Sequence, residues 1–82
     1  MSAGHPAAAR AALLDIWKKL LEVDEATDDD DFFALGGDSL LAIEFTAAVE
    51  ERLGVEIALD EFFDHPTFGA VVELARGAAV EG

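Results

Sequence analysis

The chain has 82 residues, of which eighteen are acidic and five are basic, and its formal net charge is −13. A length of this order predicts one small domain with one modest core. The absence of cysteine excludes disulfide bonds and thiolate metal sites. The negative charge argues against nucleic acid and anionic membranes as partners and favours partners with basic surfaces. No stretch resembles a signal peptide or is apolar for long enough to span a bilayer, so we expect a cytoplasmic protein.

The first helix is predicted from about Ala8 to Leu21, because its apolar side chains recur at i, i+3, i+4 and i+7. These side chains are Leu13, Ile16, Trp17 and Leu20. Residues 1–7 are mostly small and include a proline, and they are expected to form a flexible tail. Residues 22–31 lose the periodicity and are interpreted as a loop. The apolar side chains that follow it should pin the loop to the core; they are Phe32, Phe33 and Leu35.

The second helix is predicted from about Ser39 to Leu53 and should end at Gly54, a residue suited to the left-handed cap position. The residues expected on its inward face are Ala42, Phe45, Thr46, Val49 and Leu53. The next segment, "VEIAL", alternates for only a few residues and has no partner strand, so we interpret it as an extended connector. The side chains that this connector should bury are Val55, Ile57 and Leu59.

The segment "DEFFDH" is expected to form at most two helical turns, because Pro66 follows it. Thr67 should then cap a last helix. The inward face of that helix is expected to consist of Phe68, Val71, Val72 and Ala75. The predicted fold class is therefore all-α, a small four-helix bundle with three main helices and one short helix. We expect the domain to span residues 8–77, with residues 78–82 as a C-terminal tail.

The stretch "LGGDSL" places two glycines and an aspartate directly before the serine that begins the second helix. Gly36 and Gly37 permit backbone angles that other residues resist, and they leave the approach to the serine open. Asp38 can cap the helix by accepting hydrogen bonds from its first N–H groups. Ser39 then stands at the positive end of the helix dipole, a favourable place for a phosphate. The serine could be a plain cap residue, a catalytic nucleophile or an attachment site.

A catalytic role for this serine is not supported, although "GDSL" also occurs in a family of serine esterases. A serine nucleophile needs a base, usually a histidine oriented by an acid. The two histidines are His5, in the predicted tail, and His65, which has Phe62 rather than an acid three residues before it. The chain is also too short for the α/β sheet of those esterases. We therefore expect no catalytic residues and no enzyme activity.

The four aspartates at positions 28–31 do not form a calcium loop. An EF-hand loop that began at Asp31 would have its glycine correctly at Gly36. Its third, fifth and twelfth positions would nevertheless be apolar; they are Phe33, Leu35 and Ala42. We therefore expect no metal site and interpret the acidic run as a solvated loop face.

The segment "FFALGGDSLLAIEF" resembles the modification motif of thiotemplate carrier proteins, which include acyl and peptidyl carriers. The segment "DDFFALGGDSL" resembles peptidyl carriers more than fatty-acid carriers. The similarity continues through "ERLGVEIALDEFFDHPTFGAVVELA". The resemblance implies the acyl-carrier-protein-like four-helix bundle. It also implies that Ser39 receives 4′-phosphopantetheine from coenzyme A, whose terminal thiol then bears an aminoacyl, aryl or peptidyl thioester. The motif residues around this serine are Gly36, Gly37, Asp38 and Leu40.

The resemblance implies several enzymes as partners: a phosphopantetheinyl transferase, an adenylating loading enzyme, and downstream condensing, tailoring or thioesterase enzymes. The residues of the second helix that fall mostly off its inward face form a candidate docking stripe. They are Leu41, Ile43, Glu44, Ala47, Glu50 and Glu51. Alternatively, Leu41 and Ile43 pack against the preceding loop or the next helix. Phe62 and Phe63 could likewise belong to a docking surface or to the core.

Two other functions stay open from the sequence. One is a carrier of polyketide or fatty acyl groups, and the other is an acidic helical interaction domain that is never modified. We expect a monomer, and the methionine at position 1 and short predicted tails favour a free-standing protein.

Overall fold

The computed structural model describes residues 6–81, and the side chains of residues 9–77. It contains four helices: α1 Pro6–Leu21, α2 Ser39–Leu53, α3 Leu59–Asp64 and α4 Phe68–Glu81. Within the described residues there is no β-strand, and one isolated bridge pairs Asp31 with Thr67. The predicted all-α bundle of three main helices and one short helix is confirmed.

The helix ends follow from local chemistry. The C-cap residue of α2, Gly54, adopts φ 72° and donates its N–H to the Glu50 carbonyl (2.8 Å), as a left-handed cap does. The Thr67 hydroxyl accepts a hydrogen bond from the Ala70 N–H (3.3 Å) at the start of α4. Residues 55–58 have no regular structure before α3 begins at Leu59. The predicted caps and the predicted connector are therefore confirmed.

Two helices are longer than predicted. Helix α1 begins at Pro6 rather than Ala8, and α4 continues to Glu81. Residues 6–7 and 78–81, which the sequence assigns to the predicted tails, are therefore helical. Proline is favourable in the first helical turn, and the alanines at both ends have high helix propensity. The rest of the predicted N-terminal tail, residues 1–5, and Gly82 lie outside the described residues.

The core is an aromatic cluster centred on Trp17, which is fully buried. Its ring lies edge-on to those of Phe32, Phe45 and Phe68, with centroid separations of 5.5, 5.8 and 5.2 Å. Phe62 stacks on Phe45 at 5.6 Å and ties α3 to α2. Edge-on and offset stacks add to the hydrophobic free energy of burying these large rings. A short chain thus obtains a dense core from few residues.

The predicted inward faces are largely confirmed by the burial of their side chains. The fully or almost fully buried residues among them are Leu13, Ile16, Trp17, Ala42, Phe45, Val49, Ile57, Phe68, Val71, Val72 and Ala75. The half-buried ones are Leu20, Thr46, Leu53, Val55 and Leu59. Phe32 is buried and Phe33 and Leu35 are half-buried against the core, so the long loop is pinned as expected.

The loop between α1 and α2 is bound to the start of α4 by backbone hydrogen bonds. The Phe68 N–H donates to the Asp30 carbonyl (3.0 Å), and the Gly69 N–H donates to the Asp28 carbonyl (3.0 Å). In the other direction, the Phe32 N–H donates to the Pro66 carbonyl (2.7 Å). Loop carbonyls therefore satisfy N–H groups that the first turn of a helix leaves free.

The acidic run at positions 28–31 is more than the solvated face that we predicted. The Asp28 carboxylate pairs with Arg10 (2.8 Å), and the Asp30 carboxylate accepts hydrogen bonds from the Thr27 N–H and hydroxyl (both 3.0 Å). Asp31 is half-buried and accepts two backbone hydrogen bonds. That prediction holds for Asp28 and Asp29, which are exposed, and is wrong for Asp30 and Asp31, which are half-buried.

Candidate functional site

Ser39 is the first residue of α2, and its side chain is exposed. The cap is supplied by Asp38, whose carboxylate accepts the Leu41 N–H (2.9 Å) and whose backbone is extended. Within the described part of the chain, the Ser39 hydroxyl has no hydrogen-bond partner, so it is free of a capping role. The first N–H groups of α2 and the helix dipole nevertheless favour an anion at this point.

The two glycines before this serine serve different purposes. Gly36 has φ 106°, a backbone conformation that residues with a Cβ rarely adopt, and a Cβ there would meet nothing within 4 Å. Gly37 has no positive φ, but a Cβ on it would lie 2.4 Å from the ring of Phe32. The sequence predicts that both glycines permit backbone angles that other residues resist and leave the approach to Ser39 open. Of the two, only Gly36 has a positive φ, and at Gly37 close packing on the buried Phe32 ring is what requires glycine.

Among the side chains that the structure describes, the site contains no hydrogen-bonded chain of catalytic groups. His65 is the C-cap residue of α3 and is exposed, and His5 lies outside the described residues. Neither the Ser39 hydroxyl nor the His65 imidazole has a hydrogen-bond partner in the region with described side chains. Nor does that region bring together three histidine, aspartate or glutamate side chains that could hold a metal ion.

The outward face of α2 carries exposed apolar side chains next to acids. Ile43 is 50% exposed, whereas Leu41 is half-buried and packs against the core. Leu41 therefore follows the packing alternative, whereas docking at Ile43 stays a prediction. The other candidate docking residues on α2 are all exposed; they are Glu44, Ala47, Glu50 and Glu51. On α3, Phe62 is fully buried and Phe63 is 44% exposed.

Leu40 is 65% exposed, more than Ile43 or Phe63, although the sequence motif predicts it only as a neighbour of the serine. Its spacing could have revealed it, since Leu40, Ile43 and Ala47 fall at i, i+3 and i+7 and so share one face of α2. Glu51, by contrast, lines a groove toward α1 together with Asp15 and Arg52. The candidate docking stripe therefore spans more than one face.

Three of the basic side chains pair with acids at the surface. Arg52 on α2 binds Asp15 on α1 (2.7 Å), and this hydrogen bond lowers the pKa of Asp15 from its ordinary value of 3.8. The other two pairs are Arg10 with Asp28 and Arg76 with Glu73. All three pairs are exposed, so each contributes little to stability. Within residues 6–81, no helix is both long enough and apolar enough to cross a membrane.

Comparisons with known proteins agree with this geometry. The family model for the phosphopantetheine attachment site matches residues 11–75. Tyrocidine synthase 3 of Brevibacillus parabrevis is 42% identical over 66 residues, which cover 80% of this chain and 1% of that protein. Malpibaldin synthetase of Mortierella alpina is 40% identical over 70 residues, which cover 84% of this chain and 1% of that protein. The chain thus spans only a small fraction of the length of these curated relatives.

Solved structures give the same result for the fold. A non-ribosomal PCP domain superposes with a TM-score of 0.69 at 35% identity, over 80% of this chain and 84% of that one. A second match is to a chain of the complex of the phosphopantetheine transferase Sfp with coenzyme A and a peptidyl carrier protein. It has a TM-score of 0.78 at 30% identity, over 84% of this chain and 90% of that one.

The family match covers well over half of the 82 residues, and the solved structures are of the peptidyl carrier type. The family's cofactor is 4′-phosphopantetheine, which comes from coenzyme A. The resemblance to thiotemplate carriers and the expected cofactor are thereby confirmed. The chain belongs to the phosphopantetheine-attachment family, as a carrier domain of the peptidyl type rather than an enzyme.

Proposed function

We propose that the Ser39 hydroxyl is the point at which 4′-phosphopantetheine is attached. In this reaction the hydroxyl oxygen bonds to the phosphorus next to the pantetheine half of coenzyme A. The bond from that phosphorus to the adenosine 3′,5′-bisphosphate half breaks, and the hydroxyl proton goes to a base on the transferase. The product is a phosphodiester at the start of α2, where the helix dipole stabilises its negative charge.

The observation that carries this assignment is the exposed Ser39 hydroxyl at the first residue of α2, which has no hydrogen-bond partner among the described side chains and backbone. Since Asp38 supplies the cap, the hydroxyl can react without costing the helix its cap. Because no histidine base contacts it within the described side chains, the activating base must come from a partner enzyme. The glycines that precede it add no side chains that would obstruct this partner.

Intact-mass measurement tests the assignment directly. The protein is incubated with coenzyme A and a broad-specificity phosphopantetheinyl transferase, and the mass of one phosphopantetheine should be added. Ser39→Ala should abolish this gain while its circular dichroism stays that of the wild type. The matched control is Ser2→Ala at the only other serine in the chain, which should be modified normally. A wild type that never gains the mass would support the unmodified interaction domain instead.

We further propose that the thiol of the arm carries an aminoacyl, aryl or peptidyl group between enzymes of nonribosomal peptide or hybrid natural-product biosynthesis. The similarity to tyrocidine synthase 3 and to peptidyl carrier structures supports this cargo class. An adenylating enzyme should then load the modified protein with an amino or aryl acid. Efficient transfer of malonyl groups from malonyl-coenzyme A, without acceptance of aminoacyl groups, would favour the polyketide or fatty acyl carrier.

We propose as partners a phosphopantetheinyl transferase, an adenylating loading enzyme, and condensing, tailoring or thioesterase enzymes downstream. The match to the Sfp complex supports the first of these. The exposed outward face of α2 next to Ser39 supports docking of these enzymes there. We expect a monomeric carrier domain within residues 8–77 that works in the cytoplasm, where coenzyme A is available.

A further inference from the structure

We infer that Asp31 is a positioning residue for the modification of Ser39, an inference that rests on the attachment proposed above. Asp31 is the last of four consecutive aspartates and lies eight residues before the serine. It does not touch the reacting hydroxyl. Its influence passes through the backbone of the intervening turn, residues 32–37.

The upstream end of this turn is held in place by the rest of the molecule. The Phe32 side chain is fully buried, and its N–H donates to the Pro66 carbonyl (2.7 Å). Asp31 itself forms a bridge with Thr67 at the start of α4. The turn therefore starts from a fixed point on α4 and in the core.

The turn itself is organised by Asp31. One carboxylate oxygen, Oδ1, accepts the N–H groups of Phe33 (2.8 Å) and Ala34 (3.0 Å). The carbonyl oxygen of the same residue accepts the Leu35 N–H (3.1 Å). Asp31 thus binds three successive backbone N–H groups, two of them through its side chain.

The remaining N–H groups of the turn are also bound. The Gly36 N–H donates to the Phe33 carbonyl (3.2 Å), and the Gly37 N–H donates to the Phe32 carbonyl (2.9 Å). Gly37 packs closely against the Phe32 ring, and the next residue is Asp38, the N-cap of α2. Every backbone N–H from residue 33 to residue 37 is therefore hydrogen-bonded. These bonds restrict the backbone conformation of the turn in front of the serine.

Loss of the Asp31 carboxylate would release two of these five N–H groups. The backbone of the segment in front of Ser39 would then adopt other conformations, and the transferase would bind a loop of a different shape. Since small displacements of a reacting group can slow a reaction by large factors, the effect should appear mainly in turnover rather than in binding of coenzyme A.

The decisive comparison is between Asp31→Ala and Asp31→Asn. Both substitutions remove the same negative charge, but asparagine keeps an Oδ1 acceptor for the two N–H groups and alanine does not. The control is Asp29→Ala, which removes the same charge from an exposed neighbour that has no hydrogen bond among the described side chains.

The measurement is steady-state transfer of phosphopantetheine from coenzyme A by a broad-specificity transferase, at a temperature where each variant is fully folded. We expect Asp31→Ala to lower kcat by on the order of tenfold with little change in KM for coenzyme A. Asp31→Asn and Asp29→Ala should stay within about twofold of the wild type. An Asp31→Ala variant that is modified at the wild-type rate would overturn the inference. Equal slowing of all three variants would also overturn it, because charge alone would then explain the effect.

A second readout separates this inference from the attachment itself. Amide hydrogen exchange at residues 33–37 should speed up at least about tenfold in Asp31→Ala, while amides of α1 and α4 keep their protection. Faster exchange throughout the domain would indicate general destabilisation and contradict a positioning role. A wild type that is never modified would instead overturn the proposed attachment, while the exchange result would still report on the turn.

Discussion

Three glycines of this chain stand in three different environments. Gly37 lies against the ring of a buried phenylalanine, and Gly36 has a positive φ with open space around it. Gly77 lies inside α4, where a Cβ would again meet nothing within 4 Å. The same substitution by alanine should therefore have three different effects on the free energy of unfolding.

Gly37→Ala should destabilise the domain by about 1–3 kcal/mol, because the new methyl group would overlap the Phe32 ring. Gly36→Ala should cost about 1–2 kcal/mol through backbone strain alone. Gly77→Ala should stabilise by about 0.5–1 kcal/mol, since alanine is the better helix former. Urea denaturation followed by circular dichroism measures all three. A Gly37→Ala variant as stable as the wild type would show that the loop can move away from Phe32 at little cost.

Glu22 offers an opposite case, a side chain where glycine would suit the backbone better. It follows the last residue of α1 with φ 56°, and the next N–H, that of Val23, donates to the Lys18 carbonyl (3.1 Å). This is a left-handed helix end of the kind that usually carries glycine.

We expect Glu22→Gly to raise the free energy of unfolding by about 1 kcal/mol, because the left-handed strain is removed. Glu25→Gly is the matched control. It removes the same charge from an exposed residue without a positive φ and should bring no comparable gain. Thermal and urea denaturation of the two variants measure this difference. Equal stabilisation of both would indicate that the loss of charge, and not the backbone conformation, causes the effect.

The pair between Asp15 on α1 and Arg52 on α2 joins two helices and depends on pH. The hydrogen bond from Arg52 holds the pKa of Asp15 below its unfolded value of 3.8 in the folded protein. The contribution of the pair is therefore present above that value and is lost as the pH falls through the folded pKa. Asp15→Asn should be slightly less stable than the wild type at pH 7, and the difference should vanish at low pH. A difference that persists at pH values well below 3.8 would contradict this linkage.

The outward face of α2 can be tested by charge reversal. Changing Glu44, Glu50 and Glu51 to lysine shifts the net charge by six units, from −13 to −7. If these acids meet basic surfaces of partner enzymes, phosphopantetheine transfer and loading should both slow markedly. The aspartates at positions 28–31 are unsuitable as a control, because three of them form hydrogen bonds that order the loop.

A suitable control reverses Asp24, Glu25 and Glu56, three exposed acids outside α2 that make no side-chain hydrogen bond among the described residues. It produces the same net charge of −7. A larger defect from the α2 variant would indicate a local contact. Equal defects would mean that the overall electrostatic field of the molecule steers its encounter with the partner enzymes.

The net charge of −13 also acts on the molecule as a whole. Like charges repel within the folded domain, so added sodium chloride should raise its midpoint of thermal unfolding. Salt should at the same time weaken attraction to basic enzyme surfaces and lower the rate of modification. The control variant with a charge of −7 should show a shallower dependence of stability on salt. The same slope in both proteins would argue against self-repulsion as the cause.

Much of the fold could be predicted from the sequence because its signals are local. The apolar spacing in α1, α2 and α4 acts within two helical turns, and the caps at Asp38, Gly54 and Thr67 act within three or four residues. The proposed attachment residue, Ser39, was predicted instead from the resemblance to carrier proteins, which includes "FFALGGDSLLAIEF" and continues along most of the chain. Apolar spacing and helix caps depend on residues that are close together in the chain, so the local sequence is sufficient to predict them.

The tertiary structure decided what depends on contacts between distant segments. The requirement for glycine at position 37 comes from the place of Phe32 in the core, and the position of the loop comes from its hydrogen bonds to the start of α4. On α2, the partial burial of Leu41 follows from its packing against the core. The sequence predicted a helix that begins at Ser39, within a motif that resembles those of carrier proteins. The packing of loop, core and α4 determines how that serine is presented, because those contacts join residues far apart in the chain.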